Sequence, residues 1–263
     1  MAVSGTLDGT LNSRLPDRGY MTDGAHALLR GLEAHDVAYV FGVCGDTSIG
    51  LYRAFEGTET DVTHVLARDE RSAAYMADAY ARLSGRPGVC EGPSGGGATY
   101  LLPGLAEAEG SCVPVVGLNT TIPVRHRGRG VLTELDQQNL FESVTKWNGS
   151  ADHPDQVPEK LRTAFREATA GRPGATHLSL PMDSLDGPCE REPYAPERTR
   201  SYPAYRQTPP EDAVEDAARV IGASERPVIV AGGGVHASRA WFELRDLAET
   251  LGTPVATTLT GAG

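Results

Sequence analysis

The chain has 263 residues, enough for one large or two modest domains with real cores. Its formal net charge of −11 argues against nucleic acid or an anionic membrane as the main partner. Hydrophobic content of 40% and charged content of 22% are those of an ordinary globular protein, and no run of about 18 apolar residues is present to span a membrane.

The opening stretch, residues 1–20, has no apolar core; it reads as a flexible tail rather than a secretory signal, which points to a cytoplasmic protein. Thr22 is placed to cap a helix whose apolar positions Ala25, Leu28, Leu29 and Leu32 recur at i, i+3, i+4 and i+7. "VAYVFGV" reads as a buried strand, followed by the turn "CGDTS" and a helix over Thr47 to Phe55. "THVLA" is a strand, Glu70 to Leu83 an alanine-rich helix, and "PGVCE" a strand. After the turn "GPSGGGAT", Ala98 to Glu107 is helical, "CVPVVGL" is a strand and Glu134 to Phe141 a helix. Pro158 to Ala170 is helical, and "ATHLSLP" closes the series. Continuous apolar strands alternating with helices predict a doubly wound parallel α/β sheet covered on both faces, here over residues 21–182.

Residues 183–209 are rich in proline and charge and lack an apolar period; they read as a linker lying extended over a surface. Alternation resumes over 210–263 with a helix from Glu211 to Ile221, the strand "PVIVAG", a helix near Ser238 to Leu251 and the strand "PVATTL". Two strands and two helices do not cover both faces of a sheet. The second α/β unit is therefore expected to be partial, its other half supplied by another polypeptide unless the chain is a fragment. Cys44, Cys90, Cys112 and Cys189 show no metal-like spacing and read as reduced core residues. "VAGGGVHAS" lacks the GxGxxG spacing of a dinucleotide turn.

The segments "FGVCGDTSIGLY", "RDERSAAYMADAYARLSGRPGV", "GPSGGGATYLLPGLAEA", "VPVVGL", "ELDQQNLFESVTKW" and "GRPGATHLSLPMD", in this order and spacing, resemble the first domain of thiamine diphosphate enzymes of the acetolactate synthase group. "RPVIVAGGGVHAS" and "ELRDLAETLGTPVATTLTGAG" are similar to the beginning of that family's central domain. The resemblance implies that Glu70 is the carboxylate that bonds N1′ of the cofactor's aminopyrimidine and favours its imino tautomer. Read without the motifs, Glu70 is a helix N-terminal acid meeting the macrodipole, worth about 0.3–1 kcal/mol.

The same resemblance places the backbone of Val43, Cys44 and Gly45 against the pyrimidine, and Gly96 and Tyr100 near cofactor and substrate. Cys44 and Gly96 stand where relatives commonly have proline, Tyr100 where they have asparagine, and Thr121 where carboligating relatives often have glutamine. Arg125, His126, Arg127 and Arg129 form a basic loop. It reads either as solvated surface or, through Thr121, Arg125 and His126, as the mouth for a 2-oxo acid bearing carboxylate, phosphonate or sulfonate. The family holds the diphosphate through Mg²⁺ on a GDG segment; no GDG occurs here, so no metal ligand is assigned and Mg²⁺ is expected on a partner chain. FAD, held by some relatives, is disfavoured.

Together these readings imply the pyrimidine-binding subunit of a split thiamine diphosphate-dependent lyase or transferase. Its partners are a second polypeptide carrying the rest of the central domain and the diphosphate-binding domain, and a second copy of itself within a heterotetramer. The alternative is a non-catalytic regulatory or scaffold subunit that keeps the fold.

Overall fold

A computed structural model describes residues 22–262. The segment 1–20, read above as a tail, lies outside them. In chain order the elements are β1 (Thr22–Asp23), α1 (Gly24–Ala34), β2 (Tyr39–Gly42), α2 (Ile49–Gly57), β3 (Thr63–Leu66), α3 (Glu70–Ser84), β4 (Gly88–Gly92), α4 (Gly96–Gly110), β5 (Val115–Thr121), α5 (Gln137–Phe141), β6 (Trp147–Ser150), α6 (Val157–Thr169) and β7 (Ala175–Pro181). Then follow α7 (Met182–Asp186), β8 (Pro188–Cys189), α8 (Glu211–Gly222), β9 (Ile229–Ala231), α9 (Gly234–Ser238), α10 (Trp241–Leu251) and β10 (Val255–Thr257).

Six strands form one parallel sheet in the order β3-β2-β4-β5-β7-β6. Leu28, Leu29 and Leu32 of α1, Leu51 of α2 and Leu161 and Phe165 of α6 fill one face. Ala73, Ala74 and Ala77 of α3, Leu101 and Leu105 of α4 and Phe141 of α5 fill the other. The sheet is therefore doubly wound, as its apolar strands required.

The alanines of α3 have a packing cause. A Cβ on Gly104 of α4 would collide with Ala74, and one on Gly88 of β4 would strike the Ala77 carbonyl. Close approach on two sides leaves room only for small side chains along this helix.

Several boundaries differ from the sequence reading. Asp23, not Thr22, caps α1, its carboxylate accepting from the His26 amide at 2.8 Å. Strand β5 starts after Pro114, which has no N–H to give a ladder, and runs on through Asn119, Thr120 and Thr121, all buried. Strand β6, unforeseen, docks on β7 at the sheet edge. The linker is not simply extended: it holds α7, pairs β8 antiparallel with β1, and buries Thr199 against His35. Of the cysteines, Cys90 and Cys189 are buried as expected, but Cys44 is exposed and Cys112 half-buried, with Arg172 Nε 2.9 Å from its sulfur.

Beyond the linker, β9 and β10 form a two-stranded parallel pair; the helix expected near 238–251 is α10, and a further short helix, α9, precedes it in the "GGGVHAS" stretch. Val228, Val230, Val255, Phe242 and Leu247 of this part are exposed. Among the described residues no helix is long and apolar enough to cross a membrane.

Candidate active site

The direction of winding reverses between β2 and β4, and crevices at the carboxyl ends of such strands hold ligands in open α/β sheets. Three turns converge there. A Cβ on Gly45, after β2, would come within 2.5 Å of Pro93 Cβ, so the turns after β2 and β4 touch through a glycine. The Thr47 hydroxyl lies 2.8 Å from that of Thr120 on β5 and accepts from the Ser94 amide at 3.0 Å. Asn119 Nδ2 donates to the Gly92 carbonyl at 3.1 Å. The Ser94 hydroxyl donates to Thr133 at 2.6 Å, which brings the basic loop into the same network.

Glu70 is the first residue of α3 and only 8% exposed. Capping of this helix falls to Asp69, whose carboxylate accepts from the Ser72 amide at 2.9 Å and is held below the ordinary carboxylate range by that bond. Glu70 is thereby released from the capping role. Among the described residues its carboxylate takes part in no hydrogen bond or ion pair. It lies against two glycines: a Cβ on Gly97 would come within 2.8 Å of Oε1, and one on Gly92 within 3.2 Å of Cγ. Unlike Glu91 Oε2, the Glu70 oxygens are not sealed in the core, and an unbonded carboxylate at the edge of a crevice is free to accept from a ligand.

The other sequence-predicted residues distribute unevenly around it. Val43 is half-buried against the α3–α4 side of the core, with Cys44 exposed on the turn and Gly45 packed on Pro93. Gly96 opens α4 and is exposed, with free space where a Cβ would stand; its neighbour Gly97, not singled out in the sequence, is the glycine that makes room for Glu70. Tyr100 is half-exposed with the Arg71 guanidinium 5.4 Å from its ring centroid. Thr121 is buried at the end of β5, paired with Pro181 of β7.

The basic loop is only partly free. Arg127 pairs with Asp152 at 2.6 Å and is raised further by that bond, so among the loop's arginines it is the one already engaged by an acid. Arg125 donates weakly to its neighbour His126, at 3.4 Å. The loop's path is fixed by its backbone: the Val124 amide donates to Asp183 at 3.1 Å, and the Gly128 and Val131 amides donate to Glu134. No cluster of three or more metal-ligating side chains occurs among the described residues.

Sequence reasoning missed a second buried acid. Glu91 on β4 is fully buried; its Oε1 accepts from the Tyr52 hydroxyl at 2.6 Å and lies 3.2 Å from His64 Nε2. The only signal was a charged residue inside an otherwise apolar strand.

Comparisons agree with this geometry. Residues 22–140 match the family described as "Thiamine pyrophosphate enzyme, N-terminal TPP binding domain", and residues 214–263 match "Thiamine pyrophosphate enzyme, central domain". The chain is 41% identical over 242 residues to a probable acetolactate synthase large subunit of Methanocaldococcus jannaschii, covering 91% of this chain and 41% of that protein. It is 36% identical to an acetolactate synthase of Mycobacterium bovis (91% and 38%) and 32% identical to the acetolactate synthase isozyme 1 large subunit of Escherichia coli (91% and 42%). The chain thus spans about two fifths of the length of these relatives. With two family matches in the family's order and a doubly wound sheet that brings their turns together, the chain belongs to the thiamine pyrophosphate enzymes, carrying the N-terminal domain and part of the central one.

Proposed function

We propose that this chain supplies the pyrimidine-facing half of a thiamine diphosphate site in an acetolactate synthase-like enzyme that decarboxylates a 2-oxo acid and joins the product to an acceptor. One observation carries the reading: a buried carboxylate, freed from capping by Asp69 and unbonded among the described residues, facing a crevice lined by glycine. The donor set fits the group. Glu70 is the acceptor for a protonated ring nitrogen, and the backbone of Val43, Cys44 and Gly45 and the first turn of α4 near Gly96 offer the narrow walls a flat ring requires. When bound, thiamine diphosphate supplies a thiazolium ring that stabilises a carbanion beside the substrate carbonyl. This chain's part is to hold the proton at the ring nitrogen through Glu70. It also excludes water with the Thr47–Ser94–Thr120 network and attracts the substrate's negative group with Arg125, His126 and Arg129.

The reading includes a partner. The two-stranded β9–β10 unit exposes Val228, Val230, Phe242 and Val255, an apolar surface that further polypeptide is suited to cover. We assign that cover, together with the Mg²⁺ ligands and the diphosphate site, to a second polypeptide, in an assembly of two copies of each chain. Mixing the purified chain with the polypeptide bearing the remaining family segments tests this. The mixture should decarboxylate 2-oxo acids and have the mass of a heterotetramer, whereas the chain alone should bind cofactor weakly. Tight Mg²⁺-dependent binding and full turnover by the chain alone would contradict the reading.

A further inference from the structure

Glu91 has a setting that packing alone does not explain. Strand residues alternate between faces, so Glu91 and its neighbour Gly92 point to opposite sides of β4. Gly92 packs on Glu70 Cγ from the α3 side. Glu91 points to the α2 side, where its Oε1 rests on Gly42, whose place in β2 no residue with a Cβ could take. One peptide unit of a central strand therefore separates two carboxyl groups.

The second carboxyl is built into a network. Tyr52 from α2 donates to Oε1 at 2.6 Å, and His64 Nε2 from β3 lies 3.2 Å from Oε1 and 2.9 Å from the Tyr52 oxygen. The ring of His64 stands edge-on to those of Tyr52 and Phe55. Its side chain is 13% exposed and Tyr52 is likewise only half-buried, so both reach solvent while Glu91 does not. Oε2 of Glu91 is buried without a partner, so neither its ionised nor its protonated form is fully bonded.

We propose that Tyr52, His64 and Glu91 form a buried proton-sharing cluster that acts through β4 on Glu70, making Glu91 and His64 positioning residues for the Glu70 carboxylate. The inference rests on the reading of Glu70 given above. Neutral histidine with protonated glutamic acid and imidazolium with carboxylate carry the same total charge, so the cluster is neutral until it loses one proton and negative afterwards. Burial pushes Glu91 above the ordinary carboxyl range; its bonds to His64 and Tyr52 pull it down, and the Glu70 charge pushes it up. Burial raises Tyr52 most, followed by the Glu91 carboxylate, the Cys44 thiol and last the Glu70 charge. Cys90, beside Glu91 on its own strand, is fully buried and feels that carboxylate too. The titratable groups facing the cluster from outside it are thus Cys44 after β2, Glu70 on α3 and Cys90 on β4. Coupling is reciprocal, so the same charge interaction acts from Glu91 on Glu70.

Glutamate labelled with ¹³C at the carboxyl carbon in the 263-residue chain tests this without cofactor, substrate or partner. Glu91 should titrate above the ordinary range. Its midpoint should fall by roughly half a pH unit or more in Glu70→Gln, the scale of a Coulomb interaction at an effective dielectric near 20. It should rise in His64→Gln. A Glu91 midpoint in the ordinary range, or one unmoved by Glu70→Gln, overturns the inference. That outcome with a Glu70→Gln chain inactive in the assembled enzyme would leave the proposed function standing; coupling with unchanged turnover would do the reverse.

Discussion

Glu70 Oε1 occupies space that a side chain on Gly97 would need: a Cβ there would stand 2.8 Å from it and 2.6 Å from Pro93 Cγ. Gly97 has no left-handed backbone to satisfy, so its role is one of volume. Gly97→Ala should therefore destabilise by about 1–3 kcal/mol through overpacking and displace the Glu70 carboxyl. Denaturant midpoints check the first effect and cofactor affinity of the assembled enzyme the second. Gly96→Ala, with open space at its Cβ, should leave the denaturant midpoint nearly unchanged.

Acid should unfold the chain partly through two histidines. Burial holds His177 near 3, and burial with the Arg200 and Arg162 charges holds His35 near 3, both against an ordinary 6.5. An unfolded chain binds these protons first, so the stability contributed is whole above pH 6.5 and lost as pH falls from there towards 3. The loss is at most on the order of 5 kcal/mol for each histidine. His177→Gln should flatten this limb in urea titrations run at successive pH values; an unchanged slope would remove His177 from it.

Glu91 should act in the opposite direction. A carboxyl raised on folding contributes stability that is whole below its ordinary value of 4.5 and lost as pH rises through its folded value. Wild-type stability should sag on the alkaline side of that value, and Glu91→Gln should remove the sag while leaving the acid limb in place. The same urea series reads both.

The basic loop divides by its bonds. Arg127→Gln breaks an ion pair with Asp152 that is about two-fifths exposed on each side, and should cost only about 0.2–1 kcal/mol. Arg125→Gln and Arg129→Gln should instead raise KM for an anionic substrate, more at low salt than at high. KM values that are independent of salt and equal to wild type would make the loop plain surface.

The sheet was legible wherever apolar residues run without interruption, and "ATHLSLP" coincides with β7, Ala175–Pro181. Strand β6 was not, because its Trp147-Asn148-Gly149-Ser150 has turn composition and is held by pairing to β7 rather than by its own propensity. The end of β5 was hidden for a related reason. Asn119, Thr120 and Thr121 lie past the apolar run that ends at Leu118, and the stretch is held by His177, Gln137 and Thr47, each distant in sequence. Glu70 was singled out only through the motifs around it. Glu91 could not be, since Tyr52 and His64 lie 39 and 27 residues away and only the sheet order brings them together.

The most direct test of the central claim is turnover of a 2-oxo acid by the assembled enzyme with Glu70→Gln in this chain. Glutamine keeps the shape and the burial but cannot hold the proton at the ring nitrogen. The account predicts a fall of about 10²–10⁴-fold in kcat, the range of positioned acid–base catalysis, with assembly and melting temperature preserved. Turnover equal to wild type in a correctly assembled enzyme would contradict it.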